Sequence, residues 1–115
     1  SVHGHLNGKY FPKGDAGSPE SVGVGAGAGF NVNVGWDKLG REDCDYLAVF
    51  NQVVLPLAAE FQPDVVLVSA GFDAARYDPL GKCHVSPQAF AAMTQQLMKL
   101  AKGRLCLFLE GGYHL

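Results

Sequence analysis

Charge of one sign is scarce in this chain: nine lysines and arginines stand against eleven aspartates and glutamates, a formal net charge of −2 over 115 residues. Phosphate backbones demand a basic stripe, so direct nucleic-acid binding is not expected. Cysteine is scarce too. Cys44, Cys83 and Cys106 are an odd number, widely spaced, with neither a CxxC pair nor a disulfide framework, and they read as reduced thiols of an intracellular protein. No apolar run approaches the ~20 residues that cross a bilayer, and the opening Ser1-Val-His-Gly-His5 lacks the basic-then-apolar order of a signal peptide. No membrane partner is expected, and the nucleus or cytoplasm is the expected location. An initiator methionine is missing as well, and the last residues run straight off an apolar strand, so the chain is expected to be a piece of one larger domain.

Hydrophobic residues make up 48% of the chain, enough to bury a core. Residues 5–29 concentrate glycine, with the run Gly23-Val-Gly-Ala-Gly-Ala-Gly29 and two prolines, and read as a long irregular loop. Phe30-Asn-Val-Asn-Val-Gly-Trp36 alternates apolar and polar side chains as a half-buried strand does. From Asp43 to Phe61 the apolar positions Tyr46, Leu47, Phe50, Val53, Val54, Leu57 and Phe61 share one helical face, and Pro56 predicts a kink in the last turns. Asp64–Ser69 and Arg104–Leu109 are continuous apolar runs, the signature of parallel strands covered on both faces. Between them Ser86 is a fitting N-cap, Pro87 a fitting first residue, and Phe90, Met93, Leu97 and Leu100 the core face of a helix ending before Gly103. The order strand, helix, strand, helix, strand predicts a parallel α/β sheet.

Ligands of such sheets bind beyond the carboxyl ends of the strands. There the sequence places Ala70-Gly71-Phe72-Asp73 after one strand and Glu110-Gly-Gly-Tyr113 after the next, a carboxylate and a phenol aimed at one crevice if the strands are neighbours. An aspartate after a strand is often only a turn residue, and a tyrosine after two glycines often only packs. The wording of the whole stretch decides between these readings. Ser69-Ala-Gly-Phe-Asp-Ala-Ala-Arg-Tyr-Asp-Pro-Leu-Gly81 and Glu110-Gly-Gly-Tyr113 closely resemble two segments of class II, class IIb-like, zinc-dependent histone deacetylases. Ser1-Val-His3, Tyr10-Phe-Pro12, Gly29-Phe-Asn-Val-Asn33, Asp45-Tyr-Leu47 and Phe61-Gln-Pro-Asp-Val-Val-Leu-Val68 match the same family in order.

The resemblance implies an α/β chain, the partial parallel sheet of a three-layer α/β/α arginase/deacetylase fold, with residues 1–115 as the C-terminal part of the catalytic domain. It implies hydrolysis of acetyl-lysine in histones or other proteins, tubulin among them, by the intact parent. Asp73 is then a ligand of the catalytic Zn²⁺ and Tyr113 the donor to the developing oxyanion. Phe11 is a wall of the acyl-lysine tunnel, Leu80 a rim position, and Gly112 a further substrate-binding position. Structural K⁺ is implied at Ser1 and the carbonyl of Val2, and at the carbonyl of Phe30. The first zinc aspartate, the ligating histidine and the tandem histidines have no counterpart here, since His3, His5, His84 and His114 form no DxH or HH arrangement. The missing N-terminal part of the catalytic domain is therefore an expected partner, and the isolated chain is expected to be inactive.

Two departures from the family pattern matter: Tyr77 stands where glycine is usual, and His114 where asparagine is usual. If the backbone at 77 is left-handed, Tyr77 is strained. Three other readings compete. Gly23-Val-Gly-Ala-Gly-Ala28 fits the dinucleotide fingerprint G-x-G-x-x-A, but a loop precedes it and a strand follows, the wrong context. An acetylpolyamine amidohydrolase shares the fold and the chemistry. A deacetylase-like binding module without catalysis is the third, and the retained Tyr113 speaks against it.

Overall fold

The computed structural model describes residues 1–10 and 12–114. The chain gathers into two compact units, Ser1–Leu39 and Gly40–Leu115. In the first, strand β1 (Val2–Gly4) pairs in parallel with β2 (Val34–Trp36), Val2 opposite Val34 and Gly4 opposite Trp36. The strand expected over 30–36 thus shrinks to its last three residues. The cause lies in the glycine-rich loop, which takes the hydrogen bonds a neighbouring strand would have taken. Phe30 N–H donates to Gly27 O, Asn31 N–H to Val22 O, and the Asn31 and Asn33 amides both donate to Ser21 O. Alternation of side chains is present, but the asparagine amides reach a backbone carbonyl of the loop ten and twelve residues back. The loop itself makes a 3-10 turn over Gly25–Gly27 that opens no helix, consistent with setting the dinucleotide reading aside.

His3 ties β1 to Gly17 of the loop that follows. A carbonyl can only accept, so His3 Nε2–H donates to Gly17 O at 3.0 Å, which leaves Nδ1 to accept from the Ser1 hydroxyl at 2.9 Å. Burial lowers the His3 pKa, in keeping with a neutral, structural imidazole. A side chain at Gly17 would collide with His3 and with Pro12.

In the second unit, α1 (Asp43–Val49) runs into a widened π-type segment (Phe50–Val54) and on into α2 (Leu55–Phe61). The π turn is the structural answer to Pro56. Proline has no N–H to donate, and here the preceding turn loosens, so that Leu55 N–H reaches back five residues to Phe50 O and Pro56 sits in the first turn of α2, where it is tolerated. Strand β3 (Val66–Gly71) follows, then α3 (Pro87–Leu97), then β4 (Leu105–Glu110), which pairs with β3 in parallel from Val66 opposite Leu105 to Gly71 opposite Glu110. Ser86 caps α3 as expected, its hydroxyl accepting from Ala89 N–H at 3.2 Å. Asp43 ties that cap to the start of α1, taking the Ser86 N–H at 2.7 Å and the Ser86 hydroxyl at 2.6 Å.

Tyr46, Cys83, Val85, Ala89, Met93 and Leu97 form the buried core of this unit, with Val85 fully enclosed and the Tyr46 hydroxyl 3.7 Å from Cys83 Sγ. Two expectations are corrected. β2 pairs with β1, so the described residues form two two-stranded sheets rather than one. The strands expected to be covered on both faces are open: Leu67 is 66% exposed and Leu109 78%. Two strands alone have too few neighbours to enclose their own side chains. All three cysteines are free thiols, and no helix among the described residues is long and apolar enough to cross a membrane.

Candidate active site

The parallel pairing of β3 with β4 sets the geometry of the site. Gly71 and Glu110 are opposite one another at the carboxyl ends of the two strands, so the turn carrying Asp73 and the turn carrying Tyr113 leave the sheet side by side. Asp73 lies in a 3-10 turn, Phe72–Ala74, and is half-buried. Glycines make room for it. A Cβ at Gly71 would come within 3.0 Å of the Asp73 Oδ1, and one at Gly111 within 3.3 Å of its Cγ. Gly111 and Gly112 both hold left-handed backbone, at φ 66° and 87°, and a Cβ on Gly112 would stand 3.0 Å from the Phe72 Cβ. The two glycines before Tyr113 thus serve both conformation and close approach.

Gly81 is tighter still. A methyl built on it would overlap the Asp73 carbonyl oxygen, so the buried Gly81 backbone is pressed against the Asp73 turn. Asp78 completes the frame. Its Oδ1 accepts from Leu80 N–H at 2.8 Å and Gly81 N–H at 3.0 Å, while Oδ2 accepts from Tyr113 N–H at 2.7 Å. Burial alone would raise its pKa. Donation by the Gly81, Tyr113 and Leu80 amides, helped by the nearby His114, outweighs that and holds the carboxyl below the ordinary aspartate range.

Of the residues singled out in the sequence, Asp73, Leu80, Gly112 and Tyr113 come together in the second unit. Leu80 is 53% exposed and Tyr113 59%, so both are open to a ligand. Ser1, Val2 and Phe30 belong to the first unit, and Phe11 lies outside the described residues. Asp78 and Gly81 were not assigned roles from the sequence. The signal was Asp-Pro-Leu-Gly itself, a turn pattern in which the aspartate bonds the amides two and three residues on. What no local pattern reveals is that its second oxygen reaches Tyr113, 35 residues away.

Zinc needs about four donors, three of them from protein in catalytic sites. Among the described residues no three His, Cys, Asp or Glu side chains gather in a way that could hold a metal ion. Asp73 offers one carboxylate, in a space kept open by Gly71 and Gly111.

Comparison with known proteins follows the same lines. The histone deacetylase domain family matches residues 1–115 from end to end. "Histone deacetylase 18" of Arabidopsis thaliana is 51% identical over 115 residues, all of this chain and 17% of that protein. "Polyamine deacetylase HDAC10" of Homo sapiens is 48% identical over 115 residues, again all of this chain and 17% of that protein. The solved histone deacetylase Clr3 superposes with a TM-score of 0.97 at 46% identity, covering 99% of this chain and 19% of Clr3. The chain therefore spans about a sixth of the length of the curated relatives it matches. A superposition that close shows the expected α/β fold, that of deacetylase domains. Motifs, family match and solved fold run through the same residues, and the chain belongs to the histone deacetylase family, of the class II kind.

Proposed function

We propose that this chain supplies the Asp73 and Tyr113 turns to the active site of a zinc-dependent protein lysine deacetylase, one that acts on acetylated histones or other acetylated proteins in the nucleus or cytoplasm. The observation that carries this reading is the seating of Gly111 against the Asp73 carboxylate, which puts the turn before Tyr113 beside a carboxylate open to a metal. Asp73 would give one oxygen ligand to the ion. The remaining ligands would come from the N-terminal part of the catalytic domain, a partner that would also cover the open apolar side chains of β3 and β4. Zinc, when bound, lowers the pKa of a water and polarises the substrate carbonyl.

What the chain's own residues do follows from their chemistry. The Tyr113 phenol donates a hydrogen bond to the carbonyl oxygen as negative charge develops on it. The two preceding glycines let its turn approach, and Asp78 holds the Tyr113 amide. Phe11 and Gly112 would line the acyl-lysine tunnel, and Leu80 would pack against the substrate at its rim. K⁺ at Ser1 and Val2, and at Phe30, would be structural.

The test uses the full-length protein that carries this segment. Asp73→Ala should strip the zinc. Tyr113→Phe should keep zinc and lower kcat on an acetyl-lysine peptide by roughly 100-fold, the loss of about 3 kcal/mol typical of an oxyanion donor. Normal turnover by Tyr113→Phe would refute the role given to it. A second reading, hydrolysis of acetylated polyamines, is favoured by the likeness to a polyamine deacetylase and is separated from the first at Leu80.

A further inference from the structure

The two residues that depart from the usual pattern of the family meet in space. The rings of Tyr77 and His114 lie 6.3 Å apart with their planes at 80°, an edge-to-face pair. Tyr77 holds φ at 75°, the left-handed region that glycine occupies freely and a tyrosine does not. Tyr77 is 75% exposed, so core burial does not offset that strain. Strained backbone of this sort persists where its surroundings over-determine it, and it concentrates at working sites.

The ring pair has a particular neighbour. Asp78 follows Tyr77, and Tyr113 precedes His114, so the rings close directly beside the 2.7 Å hydrogen bond from Tyr113 N–H to Asp78 Oδ2. One contact is polar and backbone-directed, the other is between side chains. Together they join the loop that follows Asp73 to the turn that carries Tyr113. Glycine at 77 would remove the ring and its half of the second contact. Asparagine at 114 would remove the other half.

We propose that Tyr77 and His114 are positioning residues for Tyr113: their edge-to-face contact braces the Tyr113 turn beside the Asp78 hydrogen bond and keeps the phenol aligned with the developing oxyanion. The inference rests on the reading of Tyr113 as the oxyanion donor. A brace for a group that acts as charge develops changes the transition state and leaves substrate binding alone. Rings that served instead as a ledge for the substrate would change KM.

The experiment measures kcat and KM on an acetyl-lysine peptide, with melting temperatures, for the zinc-loaded full-length protein and its Tyr77→Gly, His114→Asn, double and Tyr77→Phe variants. Tyr77→Gly and His114→Asn should each lower kcat by roughly two- to tenfold, the range an edge-to-face aromatic pair corresponds to, with KM unchanged. The double variant should be no worse than the poorer single one, because either change removes the same contact. Tyr77→Phe keeps the ring and should keep kcat. Tyr77→Gly should melt no lower than wild type, since glycine relieves the strained φ, so its lower kcat could not be laid to unfolding. An unmoved kcat, multiplicative losses in the double variant, or a KM that rises at constant kcat would each overturn the brace while leaving the role of Tyr113 intact. A wild-type protein without deacetylase activity would overturn both.

Discussion

Asp78 Oδ2 accepts the backbone N–H of Tyr113 at 2.7 Å, so a carboxylate 35 residues away in sequence fixes the turn that carries the phenol. The same side chain holds Leu80 and Gly81 through Oδ1. One residue therefore ties together the backbone at Leu80, Gly81 and Tyr113, and substituting Asp78 itself should act on catalysis without touching substrate.

Gly81 provides the sharpest steric case. A methyl there would overlap the Asp73 carbonyl oxygen, and both partners are backbone, so neither can swing aside. Gly81→Ala should cost about 1–3 kcal/mol of stability, as overpacking does, and weaken zinc retention by displacing Asp73. Thermal denaturation and metal analysis of the full-length protein check this; an unshifted melting curve with full zinc content would refute it.

The isolated chain should bind less than one zinc per molecule and hydrolyse no acetyl-lysine peptide, because Asp73 is not joined by two further donors among the described residues. Metal titration at micromolar protein measures the first part. Stoichiometric zinc would sink the idea that the other ligands come from elsewhere.

Acid stability follows from Asp43 and Asp78, whose pKa values are both lowered. For Asp43 the Ser86 hydroxyl is the leading cause and the Ser86 N–H the next. For Asp78 burial pulls the other way but loses to the three amides. A depressed folded-state pKa means the unfolded chain binds the proton more readily, so the stabilisation is fully present above the ordinary aspartate value of ~3.9 and is lost as pH falls through the lower folded values. Denaturation of the full-length protein followed at successive pH values should therefore show Asp43→Asn and Asp78→Asn differing from wild type at neutral pH and converging with it only below pH ~4. Equal differences at all pH values would show that charge is not involved.

Leu80 should set the choice of substrate. It presents a half-open apolar surface that suits the aliphatic stem of acetyl-lysine and offers nothing to a protonated amine. A carboxylate there would attract such an amine by ~4 kcal/mol at about 4 Å and an effective dielectric of about 20, an upper figure that solvent screening reduces. The wild type should favour an acetyl-lysine peptide over acetylspermidine, and Leu80→Glu should move the ratio of kcat/KM values roughly tenfold or more towards the polyamine. A wild type that already prefers acetylspermidine would favour the polyamine reading instead.

Much of this was legible in the residues alone where the causes are local. Ser86 and Pro87 start α3 because a hydroxyl and a fixed φ satisfy a helix start wherever they occur, and the apolar runs around Val66–Gly71 and Leu105–Glu110 pair in parallel as their composition predicts. The motifs around Asp73 and Tyr113 carried the family because the order of their residues is itself the match, whatever those residues touch once folded. Other features depend on where distant segments arrive. The strand over 30–36 lost its first residues to carbonyls of the loop at Ser21, Val22 and Gly27, acceptors that periodicity does not see. Pro56 announced a distortion, but its form, a π turn over Phe50–Val54, reflects how the helix around it could rearrange. The reach of Asp78 to Tyr113, the seating of Gly111 against Asp73 and the meeting of Tyr77 with His114 join positions that are close only once β3 and β4 lie side by side, because such contacts exist in the folded register and nowhere in the order of residues.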